Sequence, residues 1–180
     1  MIHTDSLIRA IGDSFVVAYK PPHMHTAPLE SGGESLLSAL ASAFPDILSV
    51  RGKKPIEGGL LHRLDYGTRG LVVFARTQKA YDALSSSQEE GLFAKEYRAL
   101  CLDARRRGPG GLPVGFPPYP QGLGEGERPY SIESAFRPWG PGRRAVRPLA
   151  LDCLPTEGRR ARDYSLDRGR GYRTEILSIE

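Results

Sequence analysis

Proline and glycine set the outer limits on how this chain folds, because proline cannot donate to a helix or a sheet ladder and glycine weakens both. Residues 105 to 129 hold seven Gly and six Pro. That density predicts an exposed excursion rather than a regular element. Before it, breakers recur at Lys20-Pro21-Pro22, Pro45, Gly67, Gly70 and Gly91, so the first hundred residues can hold only short strands and helices.

Between the breakers the patterns are legible. Phe15 to Tyr19 is a β-prone run that the following prolines end. From Glu34, apolar residues at Leu36, Leu37, Leu40, Ala41 and Phe44 mark one helical face, and Pro45 stops the helix by disfavouring the α region at Phe44. Leu60 to Asp65 and Leu71 to Ala75 read as strands joined by the turn Tyr66-Gly67-Thr68-Arg69-Gly70. Thr77 is placed to N-cap a helix to about Glu90, with Ala80 and Leu84 inward and Gly91 closing it. Tyr97 to Leu102, Ile132 to Phe136 and Thr174 to Ile179 are further strand candidates. The last two are separated by an Arg-rich stretch from Arg137 to Arg173.

A chain of 180 residues with 39% apolar content is sized for one domain with a real core. Its net charge of +4 is unevenly placed. Residues 1 to 100 are balanced, whereas residues 101 to 180 carry 14 Arg against 10 acidic residues. Arginine's planar donor fork suits phosphate and its face stacks on bases, so a polyanionic partner fits; a solvated Arg-rich surface fits equally. Cys101 and Cys153 are the only cysteines, and with no C-x-x-C spacing neither a disulfide framework nor a thiolate metal site is indicated. His23-x-His25 has too few ligands for zinc. Gly140-x-Gly142-x-x-Ala145 matches a dinucleotide fingerprint in letters only, since prolines flank it and no strand-turn-helix surrounds it. There is no signal-peptide pattern and no apolar run near the ~18 residues of a membrane span, and the expected location is the cytosol.

The segment Leu60-Leu61-His62-Arg63-Leu64-Asp65 precedes a glycine-bearing turn. If extended, its two-residue period sends Arg63 and Asp65 to one face and His62 and Leu64 to the other. A guanidinium and a carboxylate would then share a surface at a strand end. An Asp before a turn also commonly caps backbone groups. A hydrolase pairing Asp65 with His62 is disfavoured by the same period.

His62-Arg63-Leu64-Asp65-Tyr66-Gly67-Thr68-Arg69-Gly70-Leu71 resembles the signature of the large pseudouridine synthase family acting on ribosomal and transfer RNA, in which His-Arg-Leu-Asp precedes a Thr-Ser-Gly-Leu turn. Val17-Ala18-Tyr19-Lys20-Pro21 is similar to the family's Lys-Pro strand end, and Lys95-Glu96-Tyr97-Arg98-Ala99 to its Lys-x-Tyr-x-Ala strand. Phe136 to Gly142 with Val146-Arg147-Pro148, and Tyr172 to Leu177, look like segments of one branch. Arg69 stands where Ser is usual, and His23 where Gly is common. The family's closing Arg-His-Gln-Ile-Arg-type motif has no counterpart in these residues.

The resemblance implies an α+β fold, with a mixed, largely antiparallel sheet, a central catalytic cleft and few flanking helices. It implies one catalytic domain over residues 1 to 180, incomplete at its C-terminal side. It gives Asp65 the catalytic role, Arg63 the role of holding the vacated or flipped base position, and Tyr97 a place against the target uracil. The implied partner is ribosomal or transfer RNA, with no metal and no organic cofactor. A non-catalytic RNA-binding relative is the alternative. Lys20 and Lys95 are expected to be solvated strand-end charges with a structural or phosphate role.

Overall fold

In the computed structural model, which describes residues 4–29, 31–100, 129–139, 142, 145–151 and 172–177, the chain forms two compact units, Met1–Arg98 and Ala99–Glu180. The first is built on a three-stranded antiparallel sheet in the order β1 (Ile8–Ile11), β2 (Phe15–Lys20), β3 (Gly70–Ala75). The central strand alternates as its sequence dictates, with Val16, Ala18 and Lys20 buried and the residues between them more exposed. It pairs with β3 from Phe15↔Ala75 to Lys20↔Gly70. That register puts Val16 beside Phe74 and Ala18 beside Val72 on the buried face.

Helix α1 (Leu36–Ala41) covers that face. It starts at Ser35, whose hydroxyl accepts from the Ser38 N–H while Ser38 answers with its own hydroxyl, a reciprocal cap that satisfies two otherwise orphaned donors. The helix is shorter than the apolar spacing predicts. It ends at Ala41, and the approach to Pro45 is taken by an irregular turn leading into a 3₁₀ segment, Pro45–Ser49, because the residue before proline is pushed from the α region. Leu36, Leu37 and Leu40 are buried and join Val16, Ala18, Ile47, Leu60, Leu64, Val72 and Phe74 in one cluster. Each of the Val, Leu, Ile and Phe side chains among them stabilises the fold by about 1.5–3 kcal/mol relative to exposure.

Helix α2 (Gln78–Glu89) matches its sequence signals: Thr77 caps it by accepting from the Ala80 N–H, and Gly91 follows at φ 76°. Its buried residue is Tyr81, packed with Val50 and Ala75 in a second small cluster, with Ala80 beside it.

Two strand expectations are overturned. Leu60 to Asp65 forms no ladder beyond a single bridge, Leu60↔Phe74. After the Leu61 N–H bonds Val73 O, the segment leaves the sheet, because the main-chain groups of Leu64 are taken by a side chain, the Thr26 hydroxyl. Residues 97 to 100 of the Tyr97–Leu102 candidate are likewise irregular, and residues 101 and 102 lie outside the described residues. Gly59 sits where the chain crosses the end of β3: a Cβ there would lie 1.9 Å from the Ala75 carbonyl oxygen, so only glycine allows the close approach.

The second unit carries the antiparallel sheet β5 (Ala145–Leu149), β4 (Tyr130–Trp139), β6 (Tyr172–Ile176), with β4 central. The Ile132–Phe136 expectation is met by a longer strand, and β6 lies two residues earlier than predicted at its start. Strand β5, within the stretch read as an Arg-rich connection, was not expected. Phe136 and Tyr172 meet edge to face at 5.2 Å, and the Arg173 guanidinium donates to Ser131 and pairs with Glu175 at 2.7 Å. The Gly/Pro-rich excursion, apart from Pro129, and most of the Arg-rich stretch lie outside the described residues. Antiparallel sheets with few helices make an α+β mix. Among the described residues, no helix is long and apolar enough to cross a membrane.

Candidate active site

Asp65 opens a turn in which its carbonyl accepts the Thr68 N–H at 3.0 Å. The turn is thus closed by the main chain, and the carboxylate is not the group that closes it. Asp65 and Arg63 are both exposed, whereas Leu64 between them is buried. The alternation expected of a strand therefore survives although the ladder does not.

The residues on either side of Asp65 are fastened to the loop that follows β2. On one side, the buried Thr26 hydroxyl donates to Leu64 O at 2.7 Å and accepts from Leu64 N–H at 3.1 Å. One side chain satisfies both polar groups of a buried residue, which would otherwise cost about 1–3 kcal/mol for each group left bare. On the other side, Tyr66 O accepts from His23 N–H at 2.8 Å and from the Lys20 ammonium at 3.3 Å. Asp65 is held between two anchored neighbours.

Lys20 corrects the sequence reading. It is fully buried, not solvated, and its ammonium donates to the carbonyls of Pro21, Met24 and Tyr66 at 3.0, 2.8 and 3.3 Å. Three donors meeting three carbonyls satisfy the ammonium completely. Burial lowers the pKa of this amine below its ordinary value, and the negative charge of Asp65 acts in the opposite sense. The carboxylate and the buried cation therefore feel each other across the turn. The signal was in the sequence as Lys20-Pro21, and the two-residue period puts Lys20 on the face of Val16 and Ala18; its burial was not legible, because a lysine is rarely buried without partners and the carbonyl of Tyr66 that completes its set comes from a distant segment.

Arg63 donates from one Nη to the buried carboxylate of Glu57 at 3.3 Å. That bond occupies one of five guanidinium donors, and the side chain stays 58% exposed. Tyr97 is 61% exposed on the irregular segment. His62 packs its ring 5.8 Å from Phe93, and Lys95 lies 6.0 Å from the same Phe93 ring. Burial, and secondarily the charge of Lys95, lowers the His62 pKa from 6.5 to about 4. Burial and then Lys53 lower that of Lys95. His62 is thus a neutral packing residue at pH 7, unsuited to share a proton with Asp65.

Sequence reasoning missed a group of rings beside the carboxylate. Tyr66 is 50% exposed; His23 meets it edge-on at 5.6 Å and His25 lies tilted at 4.8 Å. Among the described residues, no group of three or more His, Cys, Asp or Glu is arranged to hold a metal ion. What the site offers chemically is an exposed carboxylate on an anchored turn, with an arginine, a buried cation and aromatic faces close by.

Residues 14–123 match the family model described as RNA pseudouridylate synthase. A Chloroflexus aurantiacus protein named "Uncharacterized RNA pseudouridine synthase" is 38% identical over 85 residues, which is 46% of this chain and 26% of that protein. The "Ribosomal large subunit pseudouridine synthase D" of Vibrio parahaemolyticus is 31% identical over 91 residues, 50% of this chain and 26% of that protein. The chain thus spans about a quarter of the length of the curated relatives it matches.

Proposed function

Because the chain belongs to the RNA pseudouridylate synthase family, we propose that it converts uridine to pseudouridine in ribosomal or transfer RNA, with Asp65 as the catalytic carboxylate. The observation that carries this reading is the anchoring of Asp65: an exposed carboxylate whose two neighbours are fixed by Thr26, His23 and Lys20. Such fixing is what a group acting on a sugar carbon requires, since misplacement by an ångström is costly to rate.

The reaction breaks N1–C1′, turns the base and joins C5 to C1′; the C5 proton is lost and N1 gains one. An anionic oxygen beside the ribose serves this either by adding to C1′ or by taking a proton from C2′. The target base must leave its stack at a cost of a few kcal/mol. Arg63, tethered at one nitrogen to Glu57, fills the vacated position with its remaining donors. Tyr97, with most of its ring exposed, lies against the uracil in the cleft that the family resemblance implies.

The test is incubation of the chain with bulk RNA, followed by nuclease digestion and measurement of pseudouridine. Asp65→Asn should abolish isomerisation and leave RNA affinity nearly unchanged. Turnover by the Asn variant equal to that of the parent would refute the assignment. RNA binding with no isomerisation by the parent would favour a non-catalytic RNA-binding role.

A further inference from the structure

Among the described residues, His23 is the one non-glycine residue with positive φ, at 60°. Side chains disfavour that conformation and glycine does not. The main-chain bond that sets it, His23 N–H to Tyr66 O, would form equally with glycine in place. The loop therefore carries an imidazole at a position where its backbone gains nothing from one, and conformational cost of this kind gathers where the side chain has a task.

The imidazole stands edge-on to Tyr66, and His25 supports the same ring at 4.8 Å. His23 is exposed and half of Tyr66 remains uncovered, so the three rings make a partly open aromatic surface. Tyr66 directly follows Asp65, and its carbonyl is the point at which the loop and the turn are tied. The surface is thus held rigidly next to the carboxylate.

We propose that His23, Tyr66 and His25 form a stacking platform for the RNA base adjacent to the target uridine. The proposal rests on the reading of Asp65 given above. Flipping one base out of a strand deprives its neighbour of a stacking partner, and exposed protein rings replace such partners with little sequence preference. A platform fixed to the catalytic turn would hold the neighbour where the flipped nucleotide's sugar meets Asp65. Tyr66 and His23 are then positioning residues, acting on RNA placement rather than on the reacting atoms.

The experiment measures binding of a short single-stranded RNA with one uridine, and of the same RNA with an abasic nucleotide beside the uridine. His23→Gly removes the ring and the backbone cost together, so its thermal midpoint should be equal to the parent's or higher while affinity for the intact RNA falls. Tyr66→Ala should weaken binding roughly tenfold, as expected for one lost base–ring stack. On the abasic RNA, parent and variants should bind alike. Variants that bind intact RNA as the parent does would overturn the platform. So would losses of the same size on both RNAs, which would mean that the rings act on the backbone. Pseudouridine formation is scored separately on the intact RNA. The base-dependent pattern without isomerisation would retain the platform and reject the catalytic reading; isomerisation without that pattern would reject the platform alone.

Discussion

Acid should destabilise the first unit through His62. Its Nδ1 is buried with no hydrogen-bond partner and its ring lies against Phe93, so protonation would place a charge and a donor where neither is satisfied. Burial first, and the Lys95 charge second, lower its pKa from 6.5 to about 4. A folded-state pKa below the unfolded one means that, between these values, the unfolded chain binds a proton the folded chain refuses. Stability is therefore undiminished above about pH 6.5, falls as the pH is lowered through the window, and reaches its full loss below about pH 4. One pH unit corresponds to about 1.4 kcal/mol, which sets a ceiling of about 3 kcal/mol for the whole window. Solvent screening at a half-buried ring reduces this to about 1–2 kcal/mol. For a unit of roughly 100 residues that is a fall in thermal midpoint of at least about 4 °C. The assay is thermal unfolding by circular dichroism across this range, for the parent and for His62→Gln, which cannot titrate there. Every group other than residue 62 is common to both proteins, so the difference between the two profiles isolates His62. Parallel profiles would refute the reasoning.

Further outcomes follow from the anchors of the turn. Thr26→Val keeps the shape but strips Leu64 of both partners, and should cost about 2–6 kcal/mol and lower the isomerisation rate; Thr26→Ser, which keeps the hydroxyl, should lose much less in the same melts. Lys20→Met leaves the Pro21 and Met24 carbonyls without the ammonium and should cost about 2–4 kcal/mol, checked by urea unfolding, where a midpoint equal to the parent's would contradict the buried-clamp description. Lys53→Gln removes a neighbouring positive charge and should raise the pKa of the Lys95 amine, read by NMR titration; an unchanged value would show that burial alone lowers it.

Local signals carried a good part of the fold. The Thr77 cap, the glycine after α2, the proline that halts β2 and the alternation of Phe15–Lys20 act within a few residues, so the order of residues is enough to state them. The Asp65 turn was legible in the same way, from its glycine and its motif. Other outcomes depended on partners far away in the chain. Leu60 to Asp65 has the composition of a strand, yet it leaves the sheet because Thr26, 38 residues from Leu64, takes that residue's main-chain bonds. Lys20 reads as a solvated charge, and is buried because carbonyls nearby and 46 residues away converge on it. His23 stands where Gly is common, which hints at a left-handed backbone, but the rings it joins and the Tyr66 carbonyl that holds it come from a distant segment. A sequence states what each residue prefers; which competing hydrogen-bond partner it obtains is decided when distant segments meet.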